Sequence, residues 1–156
     1  MASPNYILAF LEHRGLDYQH RTLKEVWAFS DDEIERTHDF IQWVFPTTEP
    51  SKNVIGSPVL SSEELALVRA SKKAKDSIVA SSEWFMDFLS RRDEWRLGYD
   101  HNHLRVTRML QSITLVGKTD NAKIVLDRIL QFLNGEDISR DILRATELWE
   151  NVIAED

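Results

Sequence analysis

Residues 38–50 read HDFIQWVFPTTEP and predict the end of a helix followed by a long loop. Upstream, Ser30 and Glu33 have the spacing of a capping box, which predicts a helix start. The residues that then recur at the spacing of one helical face are Ile34, His38, Ile41 and Phe45. Pro46 has no amide hydrogen and biases the residue before it away from helical dihedrals, so we expect the helix to end near Val44.

Residues 100–117, DHNHLRVTRMLQSITLVG, predict a second helix, with Asp100 capping its start and Gly117 its end. One predicted face carries His103, Val106, Leu110 and Ile113, and another carries His101, Arg105, Arg108 and Ser112. We expect this helix to pack on the helix around residues 39–44. Polar side chains on or beside apolar faces need hydrogen-bond partners, which predicts one shared cluster of His38, Gln42 and His103.

The other segments also carry helix caps. Capping-box spacing recurs at Thr22 with Glu25 and at Ser61 with Glu64. Further caps are predicted at Ser3, Gly15, Gly135 and Ser139. The apolar face of the first helix is predicted to consist of Tyr6, Ile7, Phe10 and Leu11.

No segment shows sustained two-residue alternation, so the predicted fold class is all-α. We expect a compact single domain over residues 1–156, a bundle of about seven or eight helices. Residues 46–60 are predicted to form one long, ordered, proline-rich loop. Residues 91–99, RRDEWRLGY, are predicted to form a charged turn.

The composition narrows the functional classes. The net charge of −7 argues against a nucleic acid or an anionic membrane as the main partner. The chain has no cysteine, which excludes disulfides, thiolate nucleophiles and zinc–thiolate sites. The longest apolar run, residues 6–11, is too short to span a bilayer, and the first residues lack the basic segment of a signal peptide. We therefore expect a cytoplasmic protein with no nucleic-acid partner and no membrane span.

The sequence contains no P-loop, dinucleotide fingerprint, nucleophile elbow or HExxH motif. Residues 101–103 read HNH, but residues two apart on a helix point in different directions, so these two histidines cannot bind one ion from regular helix. No cofactor and no metal are therefore expected. The alternative is an enzyme, or a cofactor or metal site, around His38 and His103.

Arg105 and Arg108 are three residues apart on one predicted face, and arginine binds carboxylates and phosphates in a bidentate way. The functional interpretation is an anion-binding face beside the proline-rich loop, suited to a peptide carboxylate. The alternative is internal ion pairing, for example with Glu49 or Asp39.

Two motifs carry a resemblance to a known family. Residues 38–53, HDFIQWVFPTTEPSKN, and residues 101–117, HNHLRVTRMLQSITLVG, resemble the signature blocks of the opioid growth factor receptor conserved region. Residues 10–43 are similar to bacterial, single-domain members of that family. The resemblance implies an all-α domain, and in animals the region belongs to a protein that binds an enkephalin peptide. The family supplies no catalytic residues to carry over.

We therefore predict a non-enzymatic binding or interaction module that recognises a peptide or protein segment. Self-association into a homo-oligomer is a further possibility. The candidate ligand-binding residues are His38, Gln42, Trp43, Phe45, Pro46, Glu49, Asn102, His103, Arg105 and Arg108.

Overall fold

The computed structural model of the chain describes residues 5–51, 54–98, 100–133 and 140–154. Over these residues the fold is all-α, as predicted, with ten helices and no strand. They are α1 (Tyr6–Leu11), α2 (Leu23–Trp27), α3 (Asp31–Arg36), α4 (Ile41–Val44), α5 (Ser62–Ala70), α6 (Lys72–Ser90), α7 (Glu94–Leu97), α8 (His101–Leu115), α9 (Thr119–Phe132) and α10 (Arg140–Ala154). The caps predicted at Ser3, Gly135 and Ser139 lie outside the described residues.

The chain divides into two compact units, Met1–Ser81 and Ser82–Asp156. The boundary falls inside α6, so this one helix contributes residues to both units. Its first half buries Ala74 and Ile78, and its second half buries Phe85 and Leu89. The grouping of the whole chain into a single domain stays a prediction.

The predicted helix from residue 31 to residue 44 is interrupted in the structure. α3 ends at Arg36, and α4 begins only at Ile41. His38 lies in the break between them and is exposed, so its predicted place on the buried face of one helix is wrong. The capping box of Ser30 and the end of α4 at Val44 are both confirmed.

In the first unit, α1 packs against α4 and α5. The capping box of Thr22 and Glu25 at the start of α2 is confirmed. The predicted box at Ser61 forms only in part. The Ser61 hydroxyl accepts from the Glu64 amide, but the Glu64 carboxylate accepts from the amide of Leu8, at 3.0 Å, rather than from its own helix.

The end of α1 differs from its prediction. The left-handed residue that closes the helix is His13, with φ of 62°, and the predicted cap Gly15 lies beyond it. The His13 amide donates to the Phe10 carbonyl at 3.1 Å, and the Arg14 amide donates to the Ala9 carbonyl at 3.0 Å. This pair of hydrogen bonds is a Schellman motif, here with histidine in the position that glycine usually occupies.

The long loop is ordered at its base. The Leu60 amide donates to the Thr47 carbonyl at 2.9 Å, which brings the two ends of the loop together. Pro46 and Pro58 are buried, which agrees with a loop that packs against the unit. Towards the tip Ile55 is 98% exposed, so not every apolar residue of the loop packs down.

In the second unit, α8 packs against α7, α9 and α10. Its predicted start and end are confirmed, because the Asp100 side chain accepts from the Asn102 amide and Gly117 has a φ of 87°. The prediction of a simple turn at residues 91–99 is wrong. The short helix α7 forms there and buries Trp95, whose indole N–H donates to the Leu89 carbonyl at 2.9 Å.

Candidate functional site

Four aromatic rings connect the surface of the first unit to its core. Tyr6 and Tyr18 are 53% and 54% exposed, and their ring centroids lie 6.5 Å apart at a steep interplanar angle. The Tyr18 ring packs edge-on against Trp43 at 4.7 Å, and Trp43 also contacts Phe10 at 5.4 Å. Trp43 itself is 1% exposed. We refer to the three rings of Tyr6, Tyr18 and Trp43 as the aromatic site. We include Leu16 in it, because Leu16 is also half-exposed and precedes Tyr18 by two residues.

An ion-pair network holds the loop that carries Tyr18. The buried Asp17 carboxylate accepts from the amides of Gln19 and Arg21, at 2.8 and 2.9 Å, and from the Arg21 Nε at 2.7 Å. The Arg21 guanidinium continues to the Asp39 carboxylate at 3.0 Å. Because Asp39 lies in the break before α4, this network ties the Tyr18 loop to the segment that leads into Trp43.

Gln42 is a buried polar residue next to Trp43 in sequence. Its side-chain nitrogen donates to the backbone carbonyl of His38, with a long distance of 3.4 Å. Its side-chain oxygen has no hydrogen-bond partner among the residues that the structure describes. A buried acceptor without a donor costs about 1–3 kcal/mol, so this oxygen lowers the stability of the first unit.

The other candidates of the first unit divide into core and surface. Phe45 and Pro46 are buried and, like Trp43, stabilise the unit from within. Glu49 and His38 are exposed and accessible to a partner. The structure brings Trp43 and Gln42 together on α4, and it places Glu49 in the loop that follows.

The candidates of the second unit lie on α8 and contact their own unit. The His103 Nε2 atom is 2.7 Å from the Trp95 carbonyl oxygen, and its ring packs edge-on against Trp149 at 5.9 Å. A ring nitrogen that donates to a carbonyl is not available as a metal ligand. Asn102 is buried and its side-chain oxygen accepts from Arg105 at 3.2 Å.

The predicted arginine face is largely internal. Arg105 is buried, and Arg108 is buried enough that desolvation lowers the pKa of its guanidinium to about 10. Asp39, one of the carboxylates considered for internal pairing, bonds to Arg21 in the first unit. The predicted cluster of His38, Gln42 and His103 would join residues of two different units, and it stays a prediction.

The sequence-based candidates did not include Tyr6, Leu16 and Tyr18 as surface residues. Helical spacing assigned Tyr6 to the buried face of α1, and the structure corrects this assignment. The signal for Tyr18 was present in DYQHR, residues 17–21, where Asp17 begins a turn that leaves the next residue outside.

Comparison with known proteins places the chain in a family. The opioid growth factor receptor conserved region matches residues 10–96, which is more than half of the chain. The chain belongs to the opioid growth factor receptor conserved region family. The matched region contains the whole aromatic site except Tyr6, and it ends before α8.

Individual family members are more distant in sequence. The chain is 28% identical to the mouse opioid growth factor receptor over an alignment of 109 residues, and the match covers 58% of this chain and 17% of the relative. It is 29% identical to the human receptor over 112 residues, covering 58% and 16%. It is 24% identical to the mouse opioid growth factor receptor-like protein 1 over 125 residues, covering 67% and 27%.

The chain therefore spans less than a third of the length of these receptor relatives. No solved structure gives a significant match to it. Among the helices that the structure describes, none combines the length and the apolar character needed to cross a membrane.

Proposed function

We propose that this chain is a non-enzymatic binding module that recognises a peptide or protein segment at the aromatic site. The observation that carries the proposal is the contact between two half-exposed tyrosines, Tyr6 and Tyr18, of which Tyr18 also packs on the buried Trp43. Tyrosine and tryptophan are enriched in binding interfaces because they combine a large apolar face with a hydrogen-bonding group. A tyrosine whose ring already rests on a buried tryptophan also loses little conformational freedom when a partner covers it.

The family supports the coarser part of this proposal. The mouse and human relatives are named as receptors for an opioid growth factor. From that name we infer only ligand binding for this chain, which shares with them one region of a much longer protein. The cytoplasmic location, the bacterial origin and the possible homo-oligomer stay predictions.

One more feature supports a peptide-like partner. The charged groups beside Tyr18 are already paired with each other, because Arg21 bonds to both Asp17 and Asp39. The exposed rings therefore suit an uncharged, apolar part of a segment, with its backbone supplying donors.

Selection from a phage-displayed library of random peptides tests this function. We expect the wild-type chain to enrich a recurring peptide, and the same peptide made synthetically to bind at least about 10-fold more weakly to Tyr6→Ser/Tyr18→Ser, since hot-spot side chains contribute that much or more. Tyr18→Ser also removes the ring that covers Trp43. Leu16→Ser is therefore added as a variant with a smaller effect on the structure.

The matched control is Ile124→Ser, which makes the same kind of change at a 66%-exposed side chain of α9. It should bind the peptide as the wild type does. A library that yields no recurring peptide, or a peptide that binds wild type, double variant and control equally, would show that the aromatic site is not the binding surface.

A further inference from the structure

His13 occupies a strained position at the carboxyl end of α1. Its φ of 62° is a left-handed conformation that only a few per cent of non-glycine residues adopt, although histidine is enriched among them. Surrounding contacts must therefore hold the residue in place. The ring lies edge-on against Trp27, with centroids 5.3 Å apart, and the Trp27 indole donates to the Ser81 hydroxyl at 2.8 Å.

Hydrogen bonds assign the protonation of the ring. The Ser77 hydroxyl donates its only hydrogen to the Leu11 carbonyl, at 2.6 Å. It can therefore only accept from His13 Nε2, which lies 3.2 Å away. Neutral His13 thus carries its proton on Nε2, and Nδ1 has a lone pair. Nδ1 is buried and has no hydrogen-bond partner among the described residues.

The charged groups that act on the ring are both cations. Lys24 approaches from α2 and Lys73 approaches from α6. The carboxylate next to it in sequence, Glu12, already accepts from the Ser71 hydroxyl at 2.7 Å and pairs with Arg14 at 2.8 Å. A second proton on the ring would therefore be buried on Nδ1 without an acceptor, and the positive charges of Lys24 and Lys73 would repel it.

We infer that His13 is a proton-sensitive contact, whose protonation favours opening of the carboxyl end of α1 and thereby weakens the order of the aromatic site. This regulation rests on the proposed function of that site. α1 has only six residues, and a helix so short does not persist without tertiary contacts and caps. It carries Tyr6 and Phe10, two of the four stacked rings, so its release removes the support of Tyr18 as well.

The direction of the pH effect follows from the ring's surroundings. Burial, and then Lys24 and Lys73, lower the pKa of His13 below its ordinary value of 6.5. The folded state therefore disfavours the proton more than the unfolded state does. The stabilisation is complete above pH 6.5 and is lost as the pH falls from there through the lowered pKa of the folded state.

The test compares wild type with His13→Asn at about pH 7.5 and about pH 5.5, on either side of the ordinary pKa of histidine. Asparagine tolerates the left-handed conformation and does not titrate, although it is too short to replace the hydrogen bond to Ser77. The matched control is His20→Asn, because His20 has a φ of 61° and its side chain is exposed. Two readouts need no ligand: amide exchange of α1, corrected for intrinsic rates, and the NMR shifts that Trp43 induces in the Tyr18 ring.

In wild type and in His20→Asn we expect α1 exchange to speed up on acidification by up to about 10-fold, the most that one group can contribute over this range. The Tyr18 ring shifts should move towards unfolded values by the fraction of molecules in which α1 is open. His13→Asn should show less than about a twofold change in exchange. Equal acid sensitivity in His13→Asn and wild type would contradict the inference about His13. Exchange of α1 that does not respond to pH in wild type would contradict it as well. Peptide binding measured at about pH 7.5 alone decides the proposed function separately.

Discussion

At the residue scale, Gly15 shows how one missing side chain shapes the first unit. A Cβ atom at this position would lie 2.8 Å from the Cβ of Ala9 and 3.2 Å from its carbonyl carbon. The chain that leaves α1 therefore folds back onto the helix more closely than any other residue type permits. The sequence predicts Gly15 as the cap of α1. In the structure Gly15 instead permits close packing on Ala9, and His13 adopts the left-handed conformation that ends the helix.

We predict that Gly15→Ala destabilises the protein by about 1–3 kcal/mol, because backbone and a short methyl group cannot move aside cheaply. Gly98→Ala is the matched control, since nothing lies within 4 Å of its added Cβ and its φ of 174° suits any residue. Urea denaturation measures both changes. Equal free energies of unfolding for the two variants would mean that the loop after α1 can relax away from Ala9.

Residue-level predictions succeeded where local chemistry decides the outcome. Ser30, Thr22 and Asp100 cap their helices because a hydroxyl or carboxylate before a helix meets an amide within its own turn. His38 was misplaced because helical spacing alone cannot show that a helix is interrupted. Tyr6 and Tyr18 were not found because exposure depends on which segments of the fold cover a ring.

At the element scale, α5 completes the amino end of α1. The first amides of any helix lack intrahelical acceptors, and the Leu8 amide of α1 finds one in the buried Glu64 carboxylate. A negative charge at this end also suits the helix dipole. The sequence predicted the Ser61 cap correctly but could not show that the Glu64 carboxylate serves another helix, 56 residues away in the chain.

We predict that Glu64→Ala destabilises the protein by about 1–3 kcal/mol, because it leaves the buried Leu8 amide without an acceptor. Glu64→Gln keeps an acceptor oxygen and should lose less. The control is Glu63→Ala, which removes an exposed carboxylate from the same first turn of α5. Thermal and urea unfolding compare the three. A loss from Glu63→Ala as large as that from Glu64→Ala would assign the effect to the dipole of α5 instead.

At the scale of the whole molecule, α6 is the one described helix that belongs to both units. It buries Ile78 in the first and Phe85 in the second, and no loop separates these two halves. The all-α class could be predicted because every long segment has helical spacing. The boundary between the units could not, since no proline, glycine or change in composition marks residues 81 and 82.

We predict that Glu83→Pro lowers the stability of both units together. Proline inside a helix costs about 3 kcal/mol or more, and the exposed side chain of Glu83 limits the change to the backbone. Glu83→Ala is the control and should stay within about 0.5 kcal/mol of wild type. Hydrogen exchange followed in α1 and in α8 reads the two units separately. Lost protection in one helix with unchanged protection in the other would show that the units unfold independently.

The hydrogen bond that closes the long loop, from Leu60 to Thr47, has an evolutionary consequence. Because the two ends are fixed beside each other, residues between them can be added or removed without moving the helices on either side. Loop entropy rises slowly, by about 0.6 kcal/mol for each doubling of length. The segment between Thr47 and Leu60 can therefore change in length and sequence at little cost to the helices that flank it, and new binding specificities can arise at its tip.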